Sequence, residues 1–253
     1  MKTLVYAAPE KVEVRDMPVP EPKEGQVRIR VSYCGICGSD IGIFAGKHPR
    51  AKAPLVLGHE FIGTIESING GSGRFKVGDR VSPYPLLSCG HCFACKTGIP
   101  HVCQTLKLIG IDVDGGIAEY VTCDENVLFK IDDEVSDKAA AVIEPLAVIV
   151  RTMHQARFQT RDTTAIIGAG PIGIIAVAIC KYAGARRVII TDIQDARLEL
   201  AKKMGADAAV NTAKEDLMTV MKEQGLVEGF DVGLEMSGSG AALKQMISVM
   251  RNG

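Results

Sequence analysis

Tryptophan is absent from the 253-residue sequence, and aromatic residues make up only 5% of it. That scarcity weakens any reading that needs stacking platforms for nucleic-acid bases. Charge of either sign is not in surplus, since 29 Lys and Arg stand against 30 Asp and Glu. Without a basic excess, neither a phosphate backbone nor an anionic lipid surface finds an electrostatic handle. No apolar run reaches membrane-spanning length, and the N-terminal "MKTLVYAAPEKVEV" lacks an apolar core of signal-peptide size. These absences predict a soluble cytoplasmic protein with no nucleic-acid and no membrane partner. What is present is a chain 47% hydrophobic, enough for one large or two moderate domains.

The first half reads as β-rich. "QVRIRV" alternates Val27, Ile29 and Val31 with polar neighbours, the period of a half-buried strand. Similar runs follow at "FIGTIESI", "GDRVS", "IAEYVT" and "NVLFKI", parted by Gly, Asp and Pro turn signals, which predicts a small barrel or sandwich. Near residue 136 the character changes. "SDKAAAVIEPLAVIVRTMHQARF" is helical in composition with Ser136 as N-cap, and Pro145 predicts a break that should fall at Glu144. From residue 164 strands and helices alternate through "TAIIG", "PIGIIAVAICKYAG", "RVIITD", "ARLELAKKMG", "FDVGLEM" and "AALKQMISVM", hence a parallel sheet.

Eight cysteines in a chain of this length, with no export signal, point to reduced thiols used for metal binding or chemistry. Cys89, Cys92, Cys95 and Cys103 follow C-x2-C-x2-C-x7-C in the loop 89–103. Four thiolates so close surround one Zn2+ tetrahedrally, and a closed shell of sulfurs is structural. An iron–sulfur cluster is the alternative with the same donor count. His91 and His101 in this loop are read as supporting or surface residues. The spacing of Cys34 and Cys37 in "SYCGICGSD" leaves three options open: a redox dithiol, half a zinc knuckle, or one functional cysteine beside a bystander.

"GAGPIG" sets Gly168, Gly170 and Gly173 in G-x-G-x-x-G, with Pro171 and Ile172 opening the helix. The motif follows an apolar strand and begins an apolar helix, the context a dinucleotide pyrophosphate needs. Asp192 ends the next strand, where a carboxylate accepts from the ribose 2′-hydroxyl and repels a 2′-phosphate, favouring NAD over NADP. Arg197 offers positive charge near the same ribose and blunts that preference.

Together "CGICGSD", "GHEFIGTI", "VGDRV", the four-cysteine loop, "GGIAEY", "EPLAV" and "GAGPIGIIA" resemble the zinc-containing medium-chain dehydrogenase/reductase family across the whole chain. The resemblance implies an α/β protein with a GroES-like β-barrel catalytic domain, residues 1–147, and a partial Rossmann-type NAD-binding domain, residues 148–253. It implies one structural and one catalytic zinc, the latter in a cleft between the domains, and a homo-oligomer, dimer or tetramer. Carried over, Cys37, His59 and Glu144 match the catalytic zinc ligands, and Glu60 matches a carboxylate that approaches the metal or exchanges with its water. Thiolate, imidazole and carboxylate are zinc's preferred donors, and three of them leave a position where an alcohol is acidified. Ser39 matches the hydroxyl that takes the alcohol proton. Many members carry a histidine three residues later; here Gly42 stands there, and the proton exit falls to the cofactor ribose with water, to Glu60 or to His48. On this reading Cys34 is a small packing residue.

The implied reaction transfers hydride from a secondary alcohol, on a small polyol or sugar acid, to NAD. "VSPYP" and "EPLAV" look like sorbitol, galactitol and butanediol dehydrogenases. L-Threonine 3-dehydrogenase is the alternative, resembled by "ARRVIITDIQDARLELAKKMGADAAVNTAKEDL", although Leu86 takes the place of a histidine usual in those enzymes. Because family members run longer, an inactive zinc- and nucleotide-binding fragment is a further expectation, its strand "FDVGLEM" lacking a neighbour. A thiol oxidoreductase using Cys34 and Cys37 is the remaining one.

Overall fold

The computed structural model describes residues 1–252 and divides into two compact units, Met1–Glu144 and Pro145–Gly253. In the first, a five-stranded antiparallel sheet runs Leu128–Lys130, Arg80–Pro83, Phe61–Asn69, Gln26–Cys34, Tyr120–Asp124. Alternation in "QVRIRV" does what its period requires: Val27 and Ile29 are fully buried and pack with Phe61, Ile65, Val81, Val121 and Leu128. Each such side chain contributes roughly 1.5–3 kcal/mol by leaving water. An N-terminal hairpin, Lys2–Ala8 with Lys11–Asp16, pairs with Leu55–Val56 in a separate three-stranded sheet. Its second strand is nearly all exposed, so no apolar alternation marks it in the sequence.

The helical stretch after Ser136 splits earlier than proline alone suggests. Ser136 Oγ accepts from Ala139 N at 3.3 Å and caps Asp137–Ala140. The next helix, Ile143–Gln155, already contains Glu144 and Pro145 in its first turn. Proline is tolerated there because first-turn N–H groups have no intrahelical acceptor to lose. Glu144 therefore sits inside a helix start, and the break lies at 141–142.

In the second unit four parallel strands order as Ala208–Asn211, Arg187–Asp192, Thr163–Ile167, Val232–Glu235. All five residues of Thr163–Ile167 are buried, as a central parallel strand covered on both faces demands. Helices Pro171–Tyr182, Asp195–Lys203, Leu217–Glu223 and Gly240–Ser248 connect and follow the strands. No helix among the described residues is long and apolar enough to cross a membrane.

Candidate active site and metal centres

The four thiols of loop 89–103 gather with every sulfur within 4.8 Å of the others. Cys92 and Cys95 sulfurs are 3.5 Å apart and Cys89 and Cys95 3.9 Å, too far for a disulfide at about 2.05 Å. Backbone donors are aimed at the sulfurs: Cys89 N–H at Cys103 Sγ, 3.3 Å, and Cys92 N–H at Cys89 Sγ, 3.4 Å. The Cys89 N–H, with help from Thr105, pulls the Cys103 thiol down to about 6. Four sulfurs held within 4.8 Å of one another, two of them drawn toward thiolate by hydrogen bonds, are a donor set that fits Zn2+. His91 lies outside the shell, its Nδ1–H donating to the Cys89 carbonyl at 2.8 Å, and His101 is exposed.

The second cluster depends on strand pairing. Gln26–Cys34 and Phe61–Asn69 run antiparallel with Cys34 opposite Phe61, so the residues just past one strand meet those just before the other. Cys37 caps the helix Gly38–Phe44, while Gly58 turns the chain at φ +95 just before His59. Only glycine fits that turn, because a Cβ would meet Cys34 Sγ at 2.7 Å. Cys37, His59 and Glu60 then present their ligand atoms within 4.8 Å of one another.

Glu144 does not join that tight group; the carboxylate standing with Cys37 and His59 is Glu60. Glu144 is nonetheless near. Burial, reinforced by the Glu60 charge and opposed by His59, lifts its carboxyl above the ordinary range. Burial opposes charging of His59, but the Cys37 sulfur with Asp40 and Glu144 outweighs it and raises the imidazole above its usual value. An anionic pocket around a buried imidazole is the environment a cation would neutralise, and the thiol, imidazole and carboxylate donors fit zinc.

Three buried polar atoms here have no partner among the described residues: Ser39 Oγ, His59 Nδ1 and Asp40 Oδ1. Asp40, 3% exposed, was not singled out from sequence. Its Oδ2 accepts from Cys37 N at 2.8 Å, and its free Oδ1 is the acceptor type that the unpartnered His59 Nδ1 lacks. The available signal was an acid three residues after a helix-capping cysteine.

Cys34 does not sit in the surroundings of a reactive thiolate. Burial, with Asp40 and Glu60 adding to it, pushes its thiol up to about 12, far from a reactive thiolate. His48 Nδ1 accepts from Arg50 N at 3.3 Å and Ala51 N at 3.2 Å, tying that side of the ring to its own loop. Around Gly42 the space is open, with nothing within 4 Å of where a Cβ would sit.

In the second unit the glycine motif forms the turn its spacing predicts. Gly168 adopts φ +108, Gly170 caps the helix with Pro171 first in it, and a Cβ on Gly173 would overlap the Gly168 carbonyl. A cleft of about 560 Å³ is lined by Gly168, Gly170, Asp192, Arg197, Thr212 and Gln245, among others. Ile172 packs on the adjoining core. Asp192 takes three backbone donors, Ala169 N at 2.8 Å on one oxygen and Ile193 N and Gln194 N at 2.8 and 2.9 Å on the other. Of about four acceptor sites on a carboxylate, roughly one is left for a ribose. Arg197 Nη1 lies 3.7 Å from it. Thr212, just past the strand Ala208–Asn211, and Gln245, within the helix Gly240–Ser248, were invisible to a motif reading.

Two family models match, "Alcohol dehydrogenase GroES-like domain" over residues 23–133 and "Zinc-binding dehydrogenase" over residues 171–253. An L-threonine 3-dehydrogenase of Shewanella woodyi is 42% identical over the whole chain, which spans 75% of that protein. Among solved structures, a short chain alcohol dehydrogenase of E. coli CFT073 complexed with NADH superposes with a TM-score of 0.91 at 35% identity, over 99% of this chain and 73% of that one. Galactitol-1-phosphate dehydrogenase of Escherichia coli superposes with a TM-score of 0.92 at 30% identity, over 99% and 72%.

Proposed function

Since the chain belongs to the zinc-containing medium-chain alcohol dehydrogenase family, an NAD-dependent enzyme family acting on CH–OH donors, we propose that it oxidises a secondary alcohol on a small polyol or sugar acid. The observation that carries this reading is the convergence of Cys37, His59 and Glu60, with a buried, unpartnered Ser39 hydroxyl two residues along the chain from Cys37. Cys37 and His59 hold the catalytic zinc with a carboxylate from Glu60 or Glu144, and Cys89, Cys92, Cys95 and Cys103 hold the structural one. Bound there, zinc supplies Lewis acidity toward a substrate hydroxyl, and NAD supplies the hydride acceptor. Ser39 Oγ, buried and free, is the atom that receives the hydroxyl proton. Asp40 fixes the turn at Cys37, and its charge favours the protonated His59 imidazole. In the second unit the Gly170–Gly173 turn and helix N-terminus receive the pyrophosphate, and Asp192 with Arg197 meets the adenosine ribose.

The polyol reading leans on the catalytic half, because specificity resides in the site rather than the fold. Threonine is the second reading, favoured by the L-threonine 3-dehydrogenase relative and disfavoured by Leu86. NADH formation should be measured against sorbitol, galactitol-type polyols, hexonates and threonine, with and without a chelator. Turnover of threonine alone would overturn the polyol reading, and turnover indifferent to chelator would overturn the zinc chemistry. The zinc-ligand roles proposed for Cys37, Cys89, Cys92, Cys95 and Cys103 require reduced thiols, which supports a reducing, cytoplasmic setting. Assembly as a dimer or tetramer completes the proposal and is read by light scattering.

A further inference from the structure

Gly35 lies one residue past the strand Gln26–Cys34, and its N–H donates to the Glu60 carbonyl at 2.7 Å. That bond draws the two backbones together beside the Glu60 side chain. A Cβ on Gly35 would overlap a Glu60 carboxylate oxygen and stand 3.1 Å from Glu60 Cβ and 3.4 Å from Cδ. All three of its nearest neighbours thus belong to one side chain. Gly35 is not among the glycines with positive φ, so backbone torsion does not demand glycine here. Space does.

We propose that Gly35 is a positioning residue for the metal-facing carboxylate: its bare backbone is the clearance that lets Glu60 stand with Cys37 and His59. The proposal rests on reading those three residues as the catalytic metal centre. The obstructed group is the flexible end of Glu60, so an added methyl should deflect the carboxylate while the fold survives. Neighbouring Gly38 and Gly42 have nothing within 4 Å of a built Cβ, so the constraint is particular to Gly35.

The test uses the full chain carrying Co2+ at the open site, read by its visible absorption and by chelator competition. Gly35→Ala should alter the Co2+ spectrum and weaken the metal about 10- to 100-fold, the range for loss of a group that orients a ligand. Glu60→Gln should do likewise, and Gly35→Ala with Glu60→Gln should be no weaker than Glu60→Gln alone. Shortening the acid, Gly35→Ala with Glu60→Asp, should regain part of the affinity. A Gly35→Ala spectrum and affinity equal to wild type, while Glu60→Gln shifts both, would overturn the proposal. Should Gly35→Ala not fold, the pair Gly35→Ala with Glu60→Ala decides: folding like Glu60→Ala alone supports clearance, and failure overturns it. Failure of the underlying reading looks different, since Cys37→Ser would then leave metal content and spectrum unchanged.

Discussion

The two ligand clusters of the first unit are built on opposite plans. In loop 89–103 four identical donors come from one short segment, close on themselves and take backbone N–H groups onto their sulfurs. The Cys37 cluster draws mixed donors from two segments joined by strand pairing, and leaves Ser39 Oγ, Asp40 Oδ1 and His59 Nδ1 unsatisfied. A closed, saturated shell can stabilise a loop but offers substrate nothing. An open cluster with unpaired buried groups is costly to the fold and useful to chemistry.

Substituting each cluster in turn breaks that contrast most directly. Cys37→Ser should bring NADH formation to background while one zinc per chain remains, read by elemental analysis of the purified protein. Cys95→Ser should remove the other zinc and cost more than about 4 kcal/mol, the range of a lost structural metal. Urea unfolding with stability unchanged would put both clusters on the same footing.

Smaller effects sharpen the comparison. Asp40→Asn should weaken the open site's metal by about 10- to 100-fold and spare the four-cysteine site, as chelator competition would reveal. In the second unit, Asp192→Asn should reduce the preference for NAD over NADP by about tenfold, or 1.4 kcal/mol, in paired kcat/KM measurements. A further effect, on stability alone, concerns Asp231. Burial opposes its ionisation, yet the Thr163 N–H and hydroxyl, each at 2.7 Å, and Arg251 hold its carboxyl below the ordinary range. A depressed folded pKa contributes stability above the unfolded value near 3.9, lost as pH falls through the folded one. Asp231→Asn should cost about 1.5–3 kcal/mol at neutral pH, and the gap to wild type should narrow below about pH 4.

Local spacing made much of this legible. The four cysteines need only a loop, the glycine motif only a strand and a helix, and Val27 and Ile29 only a period of two. What escaped was weakly patterned: the exposed strand Lys11–Asp16, the short strand Ala208–Asn211 with its two alanines, and the helix Gly38–Phe44 with two glycines. Pro145 misled by about three residues, because the rule for the residue before a proline yields to proline's fitness for a first turn. The domain boundary expected after residue 147 falls at Glu144 by compactness.

The sequence by itself determined the two-part α/β organisation, the four-sulfur site and the nucleotide turn, since each is set by neighbours in the chain. Tertiary structure decided which carboxylate stands within 4.8 Å of Cys37 and His59, because Glu60 and Glu144 are equivalent as donors and differ only in where folding leaves them. It also decided the fate of the cysteine pair. Pairing of Cys34 with Phe61 buries the first thiol and frees Cys37 to turn toward His59. No spacing rule could separate two cysteines three residues apart; the end of a strand does.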